Sequence, residues 1–270
     1  LIHVVPDYVA MSPMLPLVPS ELQRTGHAIL DRAAAEAASA LGAGRVGSAL
    51  LTGNRSRCLV RAGEHASLIV LGREAHSSLE RLVTGATTIG VAARSTCPTI
   101  AVPPGWEPRA GKSRVVVGLE RTAHSRALLR RAFHLATQRD AELVIIHAWE
   151  LPSGYDDIIA RRAGEQEWSD HVREQVEPHL DEWRATYPLV HVELRVVHGQ
   201  AARALRDASE EADLLVLLRR PHGFPGGHLG GTGRVLLRES ACPTEVIPLG
   251  VGAGVVETDL VLERGGVLLK

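Results

Sequence analysis

The stretch Cys97-Pro98-Thr99-Ile100-Ala101-Val102-Pro103 returns later in the chain as Cys242-Pro243-Thr244-Glu245-Val246-Ile247-Pro248. Three further pairs of segments match in the same order: a histidine-bearing apolar run at 1–5 and 145–149, a glycine turn at 53–54 and 199–200, and an apolar run at 68–72 and 214–218. The offset between matched positions is 144 at the histidines, 146 at the glycines and 145 at the cysteines. The sequence is therefore a tandem duplication.

The period of this duplication sets the domain organisation. Solenoid and propeller repeats run at about 20 to 50 residues, whereas about 145 residues is the size of a folded domain, so each copy should bury its own core. The segment 103–113 between the copies is rich in proline and glycine, which is typical of a stiff, exposed linker. We expect a first domain at residues 1–104, a linker at 105–113, a second domain at 114–250 and a C-terminal extension at 251–270.

Short apolar runs alternate with helix-like stretches in both copies. The runs lack polar residues at every second position, which is typical of strands buried on both faces of a parallel sheet. In the second copy the run 115–119 precedes a helix-like stretch whose apolar side lies opposite Arg126, Arg130 and Arg131. The sequence predicts an α/β protein of two tandem Rossmann-like domains, each with a mainly parallel five-stranded sheet between helices.

The first copy is shorter than the second at its beginning. Some 33 residues separate Arg114 from the matched His147, whereas two residues precede His3. We expect that a segment of that length, holding the first strand and the first helix, is absent from the first copy as given. The alternative is a domain that begins in mid-sheet.

Composition excludes several classes of function. The 30 Lys and Arg are balanced by 31 Asp and Glu, and aromatic residues make up 3% of the chain, so the charge and the stacking surface of a nucleic-acid binder are both missing. No uninterrupted apolar run approaches the roughly 18 residues that predict a membrane span. Two of the three cysteines occupy equivalent positions in separate copies, which argues against a disulfide framework and favours a cytoplasmic protein.

In the order of its motifs the chain resembles the universal stress protein family, in its tandem two-domain form, over residues 1 to about 250. The run 115–120 looks like the first strand of the family, 1–5 and 145–149 like the histidine-bearing second strand, 67–72 and 213–218 like the fourth, and the two Cys-Pro pairs like the entry to the fifth. The resemblance implies a fold of the adenine nucleotide alpha hydrolase-like type. It also implies a stress-response role with ATP or a related adenine nucleotide as ligand, and Mg²⁺ where ATP is bound.

Nucleotide-binding members of the family carry, after the fourth strand, glycine, two residues, glycine, nine residues, and then glycine with serine or threonine. Glycines let backbone N–H groups approach phosphate oxygens, and a helix N-terminus favours the anion. The first copy keeps this pattern in part, at Gly72, Ala75, Gly85, Ala86, Thr87 and Thr88. The resemblance implies that this segment holds ribose and phosphates, while Val4 or Val5 contacts adenine through backbone atoms.

The second copy departs further from the family pattern. The same spacing gives Leu218, Pro221, Gly231 and Thr232, and Pro221 has no N–H to offer a phosphate. Glu120 stands where the family has an aspartate that faces the nucleotide, and its extra methylene displaces the carboxylate. We expect this second site to be impaired, so that ATP binds mainly in the first domain.

The remaining candidates favour structural interpretations. Histidines inside apolar strands and cysteines before strand-entry prolines are expected to be packed rather than catalytic. His222 and His228 lack the cysteine or carboxylate cluster of a metal site, so no metal is expected. The glycine-rich stretch 223–233 is either a mobile loop or an anion cradle in another register. The sequence has no nucleophile elbow, paired CxxC or Walker motif, which leaves enzymatic activity uncertain.

Three functional hypotheses remain open. The first is a nucleotide-binding stress regulator, and the second is a nucleotide-independent interaction scaffold, favoured by the loss of glycine at 75, 218 and 221. The third is a slow ATPase or nucleotidyl transferase, which lacks a recognisable catalytic set.

Assembly can also be anticipated from the duplication. The copies can pair as two subunits do, through edge strands near 99–102 and 244–247, and a homodimer of whole chains remains open. Apolar residues on both sides of Glu263-Arg264-Gly265-Gly266 predict a hairpin outside the repeat. An unpaired apolar hairpin is prone to aggregate, so we expect it to cover a sheet edge or to join a second molecule.

Overall fold

The computed structural model describes residues 1–7, 19–73, 85–120, 125–150, 164–219, 229–248, 260–263 and 266–269. In the first copy these residues form strands and helices in strict alternation. The strands are β1 (Ile2–Val5), β2 (Ala49–Thr52), β3 (Ile69–Gly72) and β4 (Thr99–Val102). The helices are α1 (Pro19–Leu41), α2 (Arg55–Ala62) and α3 (Gly85–Arg94).

The second copy forms the five-stranded parallel sheet that the sequence predicts. Its strands are β5 (Arg114–Gly118), β6 (Glu142–Trp149), β7 (Val192–His198), β8 (Leu214–Leu218) and β9 (Thr244–Ile247). Its helices are α4 (Arg126–Gln138), α5 (Glu165–Val176), α6 (Pro178–Thr186), α7 (Ala201–Ser209) and α8 (Gly231–Glu239). The strands lie side by side in the order β7-β6-β5-β8-β9, and neighbours are parallel throughout. The predicted α/β class with Rossmann-like sheets is therefore confirmed.

The first copy repeats this arrangement in two parts. Strand β1 pairs with β2 and β3 pairs with β4, both in parallel, but the two pairs belong to different sheets. In the second copy β5 lies between β6 and β8, which correspond to β1 and β3. Among the described residues of the first copy, no strand occupies that central position.

Strands β4 and β9 join the two copies. They pair antiparallel, with Ile100 opposite Glu245, and build one seven-stranded sheet in the order β3-β4-β9-β8-β5-β6-β7. The predicted pairing of the two copies through these edge strands is confirmed.

Both faces of the second sheet are covered, which explains why its strands lack alternation. Leu143 and Ile145 of β6 pack on one face with residues of α4 and α6, while Val144 and Ile146 pack on the other with residues of α7 and α8. Gly118 in β5 lies close to α7, because a Cβ there would lie 2.7 Å from Cδ1 of Leu205. A larger residue at position 118 would force the Leu205 side chain to shift.

The linker is held against the second copy rather than free. The carboxylate of Asp213, which is 6% exposed, accepts hydrogen bonds from the backbone N–H of Arg109 at 3.2 Å and of Arg114 at 2.8 Å. The side chain of Arg109 also donates to the carbonyl of Glu210. The prolines and glycines therefore shape a connection that is exposed to solvent yet fixed by one buried carboxylate.

The C-terminal strands β10 (Leu260–Glu263) and β11 (Gly266–Leu269) pair antiparallel as a hairpin. This hairpin is a sheet of its own and does not pair with another described strand, while β11 approaches α1 of the first copy. The expectation that it joins a second molecule remains a prediction. Of the helices described, none is both long and apolar enough to cross a membrane.

Candidate functional site

The candidate residues of the first copy lie at the carboxyl ends of strands and at the start of one helix. Val4 and Val5 end β1 and are buried, and Gly72 ends β3 and is exposed. Gly85, Ala86, Thr87 and Thr88 are the first four residues of α3. Ala75 lies outside the described residues.

Helix α3 presents its N-terminus to the edge of the sheet at which Gly72 lies. It is the crossover helix between the parallel strands β3 and β4, so its first turn lies at the carboxyl ends of these strands. The first backbone N–H groups of a helix have no partner within the helix and favour an anion. A Cβ built on Gly72 meets no described atom within 4 Å. The residues present therefore fit a phosphate group.

The structure does not bring all of these residues into one sheet. Val4 and Val5 belong to the β1–β2 pair, and Gly72 belongs to the β3–β4 pair. Helix α2 connects the two groups, since it contacts both β1 and α3. The residues proposed to contact adenine thus lie on β1, and the glycine proposed to lie near the phosphates lies on β3. Helix α2 lies between the two groups in the chain.

The candidates of the second copy occupy the equivalent places with different chemistry. Gly231 and Thr232 begin α8, so a helix N-terminus is kept. Leu218 replaces the glycine at the end of the preceding strand, and its side chain packs against the apolar core. Glu120 lies two residues beyond β5 and is exposed. Pro221 lies outside the described residues.

An aromatic pair lies at the carboxyl edge of the second sheet. Trp149 ends β6 and His198 ends β7, and these two residues are register partners with ring centroids 4.3 Å apart. The indole Nε1–H of Trp149 donates to Ser169 Oγ of α5 at 3.1 Å. The register partners at the equivalent place in the first copy are Val5 and Thr52. The first copy therefore carries small side chains where the second carries two rings in contact.

The histidine of strand β6, His147, is held by a backbone carbonyl. Nδ1 of His147 donates to the carbonyl of Leu119 at 2.9 Å, and burial lowers the pKa of this imidazole, although the hydrogen bond opposes the shift. The neutral ring with its proton on Nδ1 is the form that the site selects. His147 thus ties the end of β5 to β6, which is the structural role that the sequence favours.

The cysteines before the strand-entry prolines are packed, as predicted. Cys97 and Cys242 are buried, and burial raises the pKa of the Cys242 thiol to about 12. A thiol with such a pKa is protonated at neutral pH and is a poor nucleophile. Within the described part of the chain, no three His, Cys, Asp or Glu side chains are grouped so that they could hold a metal ion.

Sequence reasoning missed the arginines that follow the two equivalent strands. Arg73 comes directly after β3 and donates from Nη1 to the carbonyl of Ser240, beyond the end of α8. Arg219 comes directly after β8 and donates from Nη1 to the carbonyls of Ser95 at 2.7 Å and Ala92 at 3.1 Å, at the end of α3. The duplication could have indicated these two residues, because Arg73 and Arg219 are matched positions. They are 146 residues apart, which is the offset of the matched glycines.

Comparison with known proteins gives one consistent result. The sequence model of the universal stress protein family matches twice, at residues 1–103 and 112–248. Two universal stress proteins of Mycobacterium tuberculosis are each 27% identical: one over 237 residues, covering 84% of this chain and 74% of the relative, and the other over 258 residues, covering 91% and 85%. The crystal structure of a universal stress protein from Archaeoglobus fulgidus has the same fold, with a TM-score of 0.62 at 18% identity over 88% of this chain and 82% of that one.

Proposed function

The chain belongs to the universal stress protein family in its tandem two-domain form, and from that premise we propose that it is a cytoplasmic stress-response protein with one working nucleotide site. ATP or a related adenine nucleotide binds in the first copy, and Mg²⁺ accompanies ATP. The second copy is a partner that no longer binds nucleotide. The domain boundaries proposed from the sequence, with the linker at 105–113, lie close to the two matched ranges.

The observation that carries this proposal is the difference between the two carboxyl edges. In the first copy the strand before the loop ends in the exposed Gly72, and the register pair Val5 and Thr52 leaves the adjacent edge without large side chains. In the second copy Leu218 and the ring pair of Trp149 and His198 take these places. A ligand pocket needs both space and backbone N–H groups. Both copies keep a helix N-terminus, and the described residues favour the first copy in the space beside it.

The chemistry expected of the first copy is binding rather than catalysis. The N-terminus of α3 supplies backbone N–H donors for phosphate oxygens, and Thr87 or Thr88 adds a hydroxyl at the same turn. The end of β1 supplies backbone groups for adenine at Val4 and Val5. The described residues near these positions include no activated nucleophile with an adjacent base, so the site is suited to sensing a nucleotide.

Two measurements on the purified protein test the proposal. Small molecules released by denaturation are identified by mass spectrometry, and ATP is titrated into the nucleotide-free protein by calorimetry with and without Mg²⁺. We expect one adenine nucleotide per chain. If no nucleotide is released and millimolar ATP produces no heat of binding, the chain is a nucleotide-independent scaffold. Two nucleotides per chain would contradict the loss of the second site. Cell fractionation tests the cytoplasmic location.

A further inference from the structure

The antiparallel pairing of β4 with β9 has a local twofold axis at one residue pair. The duplication matches Thr99 with Thr244, Ile100 with Glu245 and Ala101 with Val246. In the observed register Thr99 lies opposite Val246, Ala101 lies opposite Thr244, and Ile100 lies opposite Glu245. Exchange of the two copies therefore maps the pair of Ile100 and Glu245 onto itself. The axis that relates the strands passes between these two residues.

Glu245 is an unusual residue for this position, because it is entirely buried. Its exposed fraction is 0%, and its Oε1 accepts from Nε of Arg131 in α4 at 2.9 Å. Its second oxygen, Oε2, has no hydrogen-bond partner within the described part of the chain. Arg139, which follows α4, is half-buried; burial lowers its pKa, and the charge of Glu245 partly offsets that lowering. A buried carboxylate with one oxygen unsatisfied is costly and requires an explanation.

We propose that Glu245 selects the partner of strand β9. Strand β9 accepts a strand that brings an aliphatic side chain to the axis, as β4 does with Ile100, and it rejects a second β9. The role of Glu245 is thus to keep the pairing between unlike copies, within one chain, and to prevent two chains from joining through identical β9 edges.

The physical reason is that a residue on a twofold axis meets itself when the strand pairs with its own copy. Residues directly opposite in an antiparallel pair have Cβ atoms about 4.5–5.5 Å apart, and like charges there are destabilising. Two copies of β9 would bring two buried carboxylates to this separation. Each Arg131 already donates to Oε1 of its own glutamate, so the two unsatisfied Oε2 atoms would still face a like charge.

Ile100 gives the contrasting case. It is 6% exposed and brings no polar group to the axis, so the Glu245 carboxylate meets a single aliphatic side chain and keeps its ion pair with Arg131. In both pairings Arg131 offsets part of the cost of its own buried carboxylate, but only the like pairing adds the repulsion between two carboxylates. The choice of partner depends on the difference in free energy between the two pairings. The pairing of two β9 strands is the unfavourable alternative, and its cost supplies the specificity.

A cycle of variants in the whole chain tests this proposal. Ile100→Glu recreates within one chain the two carboxylates that β9 would meet in self-pairing, and Ile100→Gln is its control of matched size without the charge. We expect Ile100→Glu to lower the thermal unfolding midpoint by at least roughly 5 °C more than Ile100→Gln. The double variant Ile100→Glu with Glu245→Gln carries one carboxylate on the axis, and it should recover most of that loss.

Equal midpoints for Ile100→Glu and Ile100→Gln would overturn the proposal, because two carboxylates would then be tolerated. If Ile100→Glu does not fold and Ile100→Gln does, the double variant decides. Folding of the double variant supports repulsion between two carboxylates, and its failure to fold overturns the proposal, because one carboxylate at position 100 is then already too costly. A second readout is the mass of Glu245→Leu after refolding at high concentration. We expect a dimer fraction several-fold higher than that of the unchanged protein, and equal fractions would contradict the selection against self-pairing.

Discussion

Arg73 and Arg219 form a reciprocal pair across the boundary between the copies. Each follows the equivalent strand of its own copy, and each donates from Nη1 to a carbonyl near the C-terminus of a helix in the other copy. A cation is favoured at a helix C-terminus, where the last carbonyls lack partners within the helix. Burial lowers the pKa of both guanidinium groups, which remain charged at neutral pH. The two arginines therefore hold the copies together from both sides of the strand pair.

Replacing Arg219 with glutamine should destabilise the chain more than replacing Arg73. Arg219 satisfies two carbonyls and Arg73 satisfies one, and a hydrogen bond to a charged group contributes about 1.5–3 kcal/mol. Denaturant unfolding of Arg219→Gln, Arg73→Gln and the exposed control Arg238→Gln measures the difference. A loss for Arg219→Gln no larger than that of the control would show that the contacts across the boundary contribute little.

The reciprocal pair also connects the residue that follows each of these strands to the opposite copy. Arg73 adjoins Gly72, and its backbone N–H donates to the carbonyl of Val102, so the first turn beyond β3 is tied to β4 and to α8 together. The proposed nucleotide site of the first copy is therefore built partly on the second copy. This gives the second copy a structural role that does not depend on a ligand of its own.

Stability should fall as the pH drops below about 6.5 in a way that depends on His147. Burial lowers the pKa of this imidazole in the folded state, so the unfolded chain takes up the proton first. The contribution of His147 is fully present above the unfolded pKa, near 6.5, and is lost as the pH falls through the lower folded pKa. In His147→Asn the side-chain amide can replace the Nδ1–H donor without titrating. The free energy of unfolding at pH 7.5, 6.5 and 5.5 should fall less steeply for this variant, and an unchanged slope would contradict the assignment.

Nucleotide binding should be lost in Gly72→Asp and kept in Gly231→Asp. At both positions an added Cβ meets no described atom within 4 Å, so neither change should disturb the fold. The carboxylate at position 72 stands at the proposed phosphate edge of the first copy, where it repels the ligand, whereas the one at 231 lies in the copy without a site. We expect affinity to fall by a factor of ten or more for Gly72→Asp alone, measured by calorimetry with circular dichroism as the control of folding. Equal nucleotide affinities for Gly72→Asp and Gly231→Asp would show that the site does not lie at Gly72 in the first copy.

The parts of the fold that the sequence predicts are those that depend on the duplication. Matching Cys-Pro-Thr segments predict two equivalent edge strands, and β4 and β9 do pair. Strands buried on both faces leave an apolar signature that is independent of their partners, so the class and the order of elements follow from it. The resemblance to the family then orders these strands in the sheet.

Tertiary contacts between side chains far apart in sequence could not be predicted in this way. The contact of Arg73 with Ser240 spans 167 residues, and no local pattern indicates it. Asp213 follows a helix and precedes a strand like many other residues, and only the folded chain shows that its carboxylate holds the linker. The ring contact of Trp149 with His198 depends on the register of β6 and β7, which the sequence alone leaves open.

Placing the Trp–His pair of the second copy into the first copy should prevent nucleotide binding there. The double variant Val5→Trp with Thr52→His places in the first copy the ring pair that the second carries, because the positions are register partners in both. We expect it to abolish nucleotide binding in a chain that still unfolds cooperatively. The reverse variant, Trp149→Val with His198→Thr, should lose roughly 3 kcal/mol of stability, since a buried indole is removed, yet bind one nucleotide as before. Binding that survives the first variant would show that the edge near Val5 does not receive the ligand. Two nucleotides bound by the second variant would show that the rings alone close the second copy, and that Leu218 does not.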